Sequence, residues 1–306
     1  MRRARRTVFL TTTTADEEVN VYRRFGYFYK GKMYMPRNYS KPDYSGSNQI
    51  IVVRQPDGSV VEVQLVITYP EYVNGNKSVV GVIPQIGDND TLNARQNIFG
   101  VGNRYGSHFG SGLPALGGTL RTGELSGSVS IDHALNLLLP PEILNGSSGG
   151  YRWPATNADE GYGDSYLGGN TAARMGCLLA LPQTFDVNQL ASPEARRVAT
   201  ALKDYGGYCT DGAANNVFQI AMEESEFNHL QNNYGTDPDN GTPWSNDQRT
   251  ILSELQIVNN NGPDTIGGGY SGPYNGQHRI RNLDRRTQRR VDANGRQRRQ
   301  HALLRC

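Results

Sequence analysis

Six candidate carboxylates, Glu124, Asp132, Asp159, Glu160, Asp164 and Asp211, stand among the acidic residues of positions 124–211, and the same stretch holds His133 and Tyr151. Those residue types suit cleavage of a glycosidic bond, which takes two carboxylates flanking the bond, one carrying a proton and the other charged. A Tyr/His pair with a nearby cation would suit a lyase instead. The spacing singles out no pair, so the enzyme reading rests on His133, Tyr151 and Asp211 as catalytic candidates, with Trp153 and Tyr151 as ring faces that could stack on a sugar. Each has a plainer reading. His133 alternates with Ile131, Leu135, Leu137 and Leu139, the pattern of a core strand. Asp211 precedes Gly212, as turn residues do, and Trp153 suits a core.

Other chemistries have less to stand on. There is no G-x-S-x-G nucleophile elbow, only the tripeptide Gly110-Ser111-Gly112. His108, His133, His229, His278 and His301 lie far apart, without H-x-x-x-H or H-E-x-x-H spacing, so no metal centre and no cofactor is expected. The loop Asp237-Pro238-Asp239-Asn240-Gly241 offers oxygen ligands for calcium but lacks EF-hand spacing. Residues 100–127 are dense in glycine around Tyr105, His108, Phe109, Leu113 and Leu116, yet carry no phosphate-loop Lys-Ser/Thr pair. Cys177 and Cys209 are candidates for a disulfide or for two buried thiols, and Cys306, after the arginine-rich run, is expected to be exposed.

Charge is strongly segregated. The chain carries +2 overall, but residues 279–306 hold ten arginines against Asp284 and Asp292, and residues 1–6 hold four more arginines. The 272 residues between are therefore acidic, at −10. Arg279, Arg281, Arg285, Arg286, Arg289, Arg290, Arg296, Arg298 and Arg299 form the assembly or polyanion-binding set. No aromatic residue interleaves them, so nucleic acid is a weaker expectation than other copies of the chain, an anionic glycan or a mineral surface. No apolar run approaches the length of a membrane span, and no membrane partner is expected. Asn38, Asn76, Asn89 and Asn145 fit the N-glycosylation pattern, as does Asn240, where Pro243 weakens it. An extracellular setting is expected from these sites, although no clear signal peptide opens the chain.

The elements that must position these residues are mostly strands. Aliphatic content is low, and Gly, Tyr and Asn are abundant, which predicts a mainly β fold with a few helices: a jelly-roll or β-sandwich-like body with long loops and extended terminal arms. Residues 1–20 read as a basic arm, 21–258 as a single β-rich body, 259–278 as a Gly/Asn/Pro linker and 279–306 as the arginine-rich arm. The clearest unit is the hairpin over residues 49–69, turning at Pro56-Asp57-Gly58, with Val61, Val63, Leu65 and Ile67 on one face and Glu62 and Gln64 on the other. Short strands are expected at 79–83 and 217–222. Ser192 caps a predicted helix running from Pro193 to Tyr205, and a second amphipathic helix is expected over 247–258.

Over residues 106–222 the order of short motifs resembles a poorly characterised group of secreted bacterial proteins. The matching pieces are Ile131-x-His133-Ala134-Leu135, Tyr151-x-Trp153-Pro154-Ala155, Arg174-Met175-Gly176, Ala201-Leu202-Lys203-x-Tyr205-Gly206 and Asp211-Gly212. The resemblance implies a β-rich fold and an association with polysaccharides, with no stated activity. Asp132, Asn157 and the Thr210-Asp211-Gly212-Ala213 run depart from the group's pattern, so polar walls of any shared pocket are altered here. Together these features favour a secreted structural protein over an enzyme. Its basic arms would dock on acidic bodies to build a filament, lattice or biomineral matrix. A polysaccharide-active or carbohydrate-binding protein is the alternative, and a polyanion or nucleic-acid packaging protein the third reading.

Overall fold

The computed structural model describes residues 6–24, 26–41, 49–66, 68–81, 83–85, 106–108, 110–213 and 217–268. The arginine-rich arm, Asn89 and Cys306 lie outside them. The described chain is mainly strands with four α-helices. The strands are β1 (Arg6–Thr11), β2 (Glu17–Arg23), β3 (Phe28–Met35), β4 (Ile50–Arg54), β5 (Val60–Gln64), β6 (Glu71–Val73), β7 (Asn76–Gly81) and β8 (Ile83–Gln85). They continue as β9 (Leu135–Leu139), β10 (Leu178–Ala180), β11 (Gly207–Gly212), β12 (Gln219–Ile220), β13 (Met222–Glu223) and β14 (Gln256–Ile257). The helices are α1 (Tyr162–Ser165), α2 (Pro193–Asp204), α3 (Glu224–Tyr234) and α4 (Pro243–Glu254).

Three sheets result, in the orders β13-β1-β4-β5-β8, β12-β9-β11-β10-β14 and β3-β2-β7-β6. The β-rich expectation is met. The sheets mix directions, however: β1 runs parallel to β4 and β13, β2 to β7, and β9 to β11. A jelly roll is built from antiparallel strands.

The predicted hairpin is β4–β5, with Ile51 opposite Val63 and Val53 opposite Val61. Its turn works as its residues dictate, since Gly58 takes φ +84° and the Asp57 carboxylate accepts from Ser59 N at 2.9 Å. Both faces of β5 are buried, whereas an alternating buried and wet pattern was expected. Val61 and Val63 enter one core, while Glu62 and Gln64 face an opposite side that the loop over 106–116 covers. Leu65 leaves the strand in a left-handed conformation.

Residues 6–20, expected as part of a free basic arm, are instead β1, its turn and the first half of β2. Phe9 and Leu10 on β1 pack on the apolar clusters, and Arg6 is buried with its guanidinium 4.0 Å from the Phe227 ring. Charge alone misled here, because a guanidinium can cover an aromatic face while its stem packs. Residues 259–268 are likewise folded and not a linker. Asn261 is buried, and its side-chain oxygen accepts from Gly267 N at 2.9 Å and Tyr208 OH at 3.3 Å.

Two main apolar cores form. One gathers Val19, Val21, Met33, Met35, Ile51, Val63 and Val79, and the larger one packs β9, β10 and β11 against α2, α3 and α4. The sheet carrying β1 and β13 joins the two halves of the chain. Helix α2 begins at Pro193 as predicted, although the Ser192 hydroxyl donates to Asp247 on α4 at 2.7 Å and does not cap its own helix. Helix α4 begins at Pro243, four residues before the expected start, because Thr242 and Ser245 form a reciprocal capping box. It seats Trp244 fully in the core, a side chain whose truncation costs about 3–5 kcal/mol.

Candidate functional site

The glycine-rich loop owes its shape to one buried carboxylate. Glu62, fully buried on β5, accepts from Ser107 N (3.0 Å), Ser107 Oγ (2.6 Å), Ala115 N (2.9 Å) and Leu116 N (2.8 Å). Backbone donors that could find no strand partner are thereby satisfied by a charge. Gly106 N donates to Gly112 O at 2.9 Å and Gly112 N to His108 O at 2.8 Å, which closes the loop on itself. Glycine is required at Gly106, where a Cβ would lie 1.9 Å from the Leu113 carbonyl carbon.

The loop delivers Gly110 to the meeting point of two carboxylates. A Cβ on Gly110 would stand 2.8 Å from Asp159 Oδ1, 2.9 Å from Asp211 Oδ1 and 2.9 Å from the Met175 methyl. Both oxygens therefore lie less than about 6 Å from one another, close enough for the two carboxylates to act on one group. Gly212 is needed on the far side, since its Cβ would meet Asp159 Oδ2 at 2.6 Å.

Asp211 sits on β11, just after the register shift between Cys209 and Asp211 that re-aims the strand against β9. It is buried, and it accepts from Gly212 N at 2.9 Å and from Gln64 Nε2 at 3.2 Å. His108, fully buried, places Nδ1 3.7 Å from Asp211 Oδ2. The Asn136 amide nitrogen lies 3.2 Å from His108 Nε2, so Nε2 accepts, and the ring proton rests on Nδ1, facing Asp211. Asp159 is half-buried on the segment after Trp153, which Thr156 ties to the loop by donating to Ser111 O at 2.9 Å. Tyr166 donates its hydroxyl to Asp159 Oδ2 at 2.6 Å. Burial first, and then the Asp159 charge and hydrogen bond, push the Tyr166 phenol far above its usual range, so it stays a donor.

Of the sequence candidates, Asp159 and Asp211 come together and His133 does not join them. His133 places Nε2 3.0 Å from Glu124 Oε1 and Nδ1 2.9 Å from Ala134 O, locking the turn ahead of β9. His108 takes the place beside Asp211. Tyr151 is part-exposed and Trp153 half-buried, on the segment where Arg152 N bonds to Met175 O at 2.8 Å, one residue chain away from the Met175 methyl that lines the site. Asp132, Glu160 and Asp164 are exposed. Sequence reasoning noticed the glycine-rich stretch around His108 but had no signal for Gln64 or Asn136, which arrive from β5 and β9.

Cys177 and Cys209, candidates for a disulfide or for two buried thiols, are neighbours, Cys177 just before β10 and Cys209 on β11, with Cys209 N donating to Cys177 O at 2.9 Å. Both are free, buried thiols. Burial, then the neighbouring Cys177, then the charges of Asp159 and Asp211 push the Cys209 thiol up, so it remains protonated, and it donates to Met175 Sδ at 3.7 Å.

Among the described residues no group of three or more His, Cys, Asp or Glu side chains is placed to hold a metal ion. Asp239 of the supposed calcium loop accepts from Trp244 Nε1 at 3.2 Å and so serves α4. Of the glycosylation candidates, Asn38 and Asn76 are exposed, whereas Asn145 spends its amide on Gly168 O at 2.6 Å. Comparison with protein families, with curated proteins and with solved structures finds no match to this chain.

Proposed function

We propose that the chain is a polysaccharide-active protein whose chemistry is carried by Asp159 and Asp211. The observation behind this reading is the convergence of the two carboxylates on Gly110, with a half-exposed member and a buried one. Asp211, held by two amide donors and faced by the His108 ring proton, is placed to act as nucleophile or base. Asp159, less buried and accepting the Tyr166 hydroxyl, is the partner carboxylate and must take up a proton before it can protonate the leaving oxygen. Tyr151 and Trp153 lie on the adjoining segment and offer ring faces for sugar units. The test is release of reducing ends from a panel of neutral and acidic polysaccharides. Asp159→Asn and Asp211→Asn should each abolish turnover while leaving the unfolding midpoint nearly unchanged for Asp159→Asn. Unaltered turnover in either variant would remove the pair from the mechanism.

Assembly through the basic arms is the second reading, favoured by the charge segregation of the sequence. The structure bears on its other half, the acidic body. Glu62, Glu124, Glu194, Asp211, Glu226 and Asp247 are all buried, so six of the acids that make the body negative act inside it and not as a docking surface. Glu226, for instance, accepts from Gly123 N at 2.8 Å and Leu125 N at 2.6 Å. Light scattering at low and high salt, with and without residues 279–306, tests this reading, and salt-indifferent monomers in every case would exclude it.

A further inference from the structure

We propose that the turn end of the β2–β3 hairpin is a docking tip for an anionic lipid surface. Three consecutive aromatic residues there face solvent: Tyr27 is 54% exposed, Phe28 64% and Tyr29 55%. Exposure of this extent is unusual for phenylalanine, whose ring has no polar handle to keep wet. The rings do not form a platform. Phe28 and Tyr29 are consecutive on β3, so the pleat turns their side chains to opposite faces. Tyr22 pairs with Tyr29, their ring centroids 5.6 Å apart, and Arg23 pairs with Phe28. Aromatic side chains therefore stand on both faces of this end of the sheet. A sugar chain stacks along one face, whereas a tip bearing rings on both faces is covered only when it is immersed.

The turn is shaped for this presentation. Gly26 takes φ +82°, a left-handed conformation that favours glycine, and the Phe28 ring lies over the position a Cβ would take, 2.6 Å away. Cations surround the tip. Arg23 is exposed, and Arg24 and Lys30 are half-buried beside it. Residues 19–41 hold Arg23, Arg24, Lys30, Lys32, Arg37 and Lys41 and not a single acid. The nearest acid along the strand, Glu18, is engaged by Lys32 at 2.8 Å, away from the turn. Phenylalanine flanked by two tyrosines and ringed by cations matches the layering of a bilayer boundary, with the apolar ring deepest, phenols at the glycerol level and guanidinium groups at the phosphates. No helix among the described residues is long and apolar enough to cross a membrane, and docking at headgroup depth needs none.

The experiment uses the full chain carrying Phe28→Trp, read as the difference from the unsubstituted protein, whose Trp244 is buried and Trp153 half-buried. With vesicles of phosphatidylcholine and phosphatidylglycerol, emission from position 28 should move to the blue and become protected from iodide. Vesicles of phosphatidylcholine alone should give neither change. Adding Arg23→Gln and Arg24→Gln should weaken partitioning about fivefold for each arginine removed. The arginine-rich arm can hold the protein to the same vesicles, so protein that sediments with them while position 28 stays open to iodide overturns the proposal. A blue shift that grows with protein concentration in the absence of vesicles overturns it too, in favour of a second copy. An equal shift with heparin would replace the lipid surface by a soluble polyanion.

Discussion

Replacing Glu62 by glutamine is the most direct test of how the site is built. In the native protein one carboxylate oxygen receives Ser107 N, Ser107 Oγ and Ala115 N, and the other receives Leu116 N. Glutamine can keep its oxygen on the more crowded side, but its NH2 group must then face the Leu116 N–H. One charge-assisted bond is lost, and two donors oppose each other at a fully buried position. Bonds to charged groups contribute about 1.5–3 kcal/mol and an unsatisfied buried donor costs about 1–3 kcal/mol, so Glu62→Gln should cost about 2.5–6 kcal/mol. Glu62→Ala strands three backbone donors and should cost about 3–9 kcal/mol, a large share of the about 5–15 kcal/mol that holds a typical domain. Urea unfolding followed by far-UV circular dichroism measures both, and the midpoint should fall with the slope unchanged. A Glu62→Gln protein within about 0.5 kcal/mol of the parent, the range of an indifferent surface change, would refute the claim that this carboxylate organises the loop. The same variant should reduce any turnover, because the loop it clamps carries His108 and Gly110.

Three further outcomes are expected. Gly110→Ala should leave the chain folded but push Asp159 and Asp211 apart, since its methyl would press on both oxygens and on Met175, abolishing turnover and any polysaccharide affinity measured by calorimetry. Burial works to raise the Glu194 carboxyl, but hydrogen bonds from Tyr234, its own backbone, His229 and Asn233 outweigh that and hold it below its ordinary value. A depressed folded value stabilises the protein above the unfolded value of about 4.5 and is lost as pH falls through the folded one, so acid unfolding of Glu194→Gln should show a shallower pH dependence below that point. Thr242→Ala breaks the capping box of α4 and should cost about 1 kcal/mol in the same urea assay.

The hairpin at Pro56-Asp57-Gly58, the helix after Ser192 and the β-rich class could be read directly from the sequence, because each depends on neighbours within a few residues. Turn chemistry, a proline at the first helical position and alternating apolar side chains act locally, so their outcome is written where they stand. Both members of the carboxylate pair were in view as residue types, but Asp159 and Asp211 stand 52 positions apart, and nothing in their spacing could pair them. Their convergence depends on a register shift in β11, on a loop held by Glu62 and on two glycines that leave room for the oxygens. Each of these is a contact between segments distant in sequence. The same limit explains the acids taken for a negative surface. Composition counts a carboxylate the same whether it faces water or clamps three backbone N–H groups, and only the packed chain decides which. It explains the arms as well. A run of arginines predicts solvent exposure until a strand partner and an aromatic ring are brought to it, and for Arg6 those partners, Met222 and Phe227, lie more than two hundred residues away. What the sequence by itself determined was the local geometry and the inventory of chemical groups. Which groups meet, and which are withdrawn from water, was decided by the tertiary structure, because burial and proximity are properties of the assembled core.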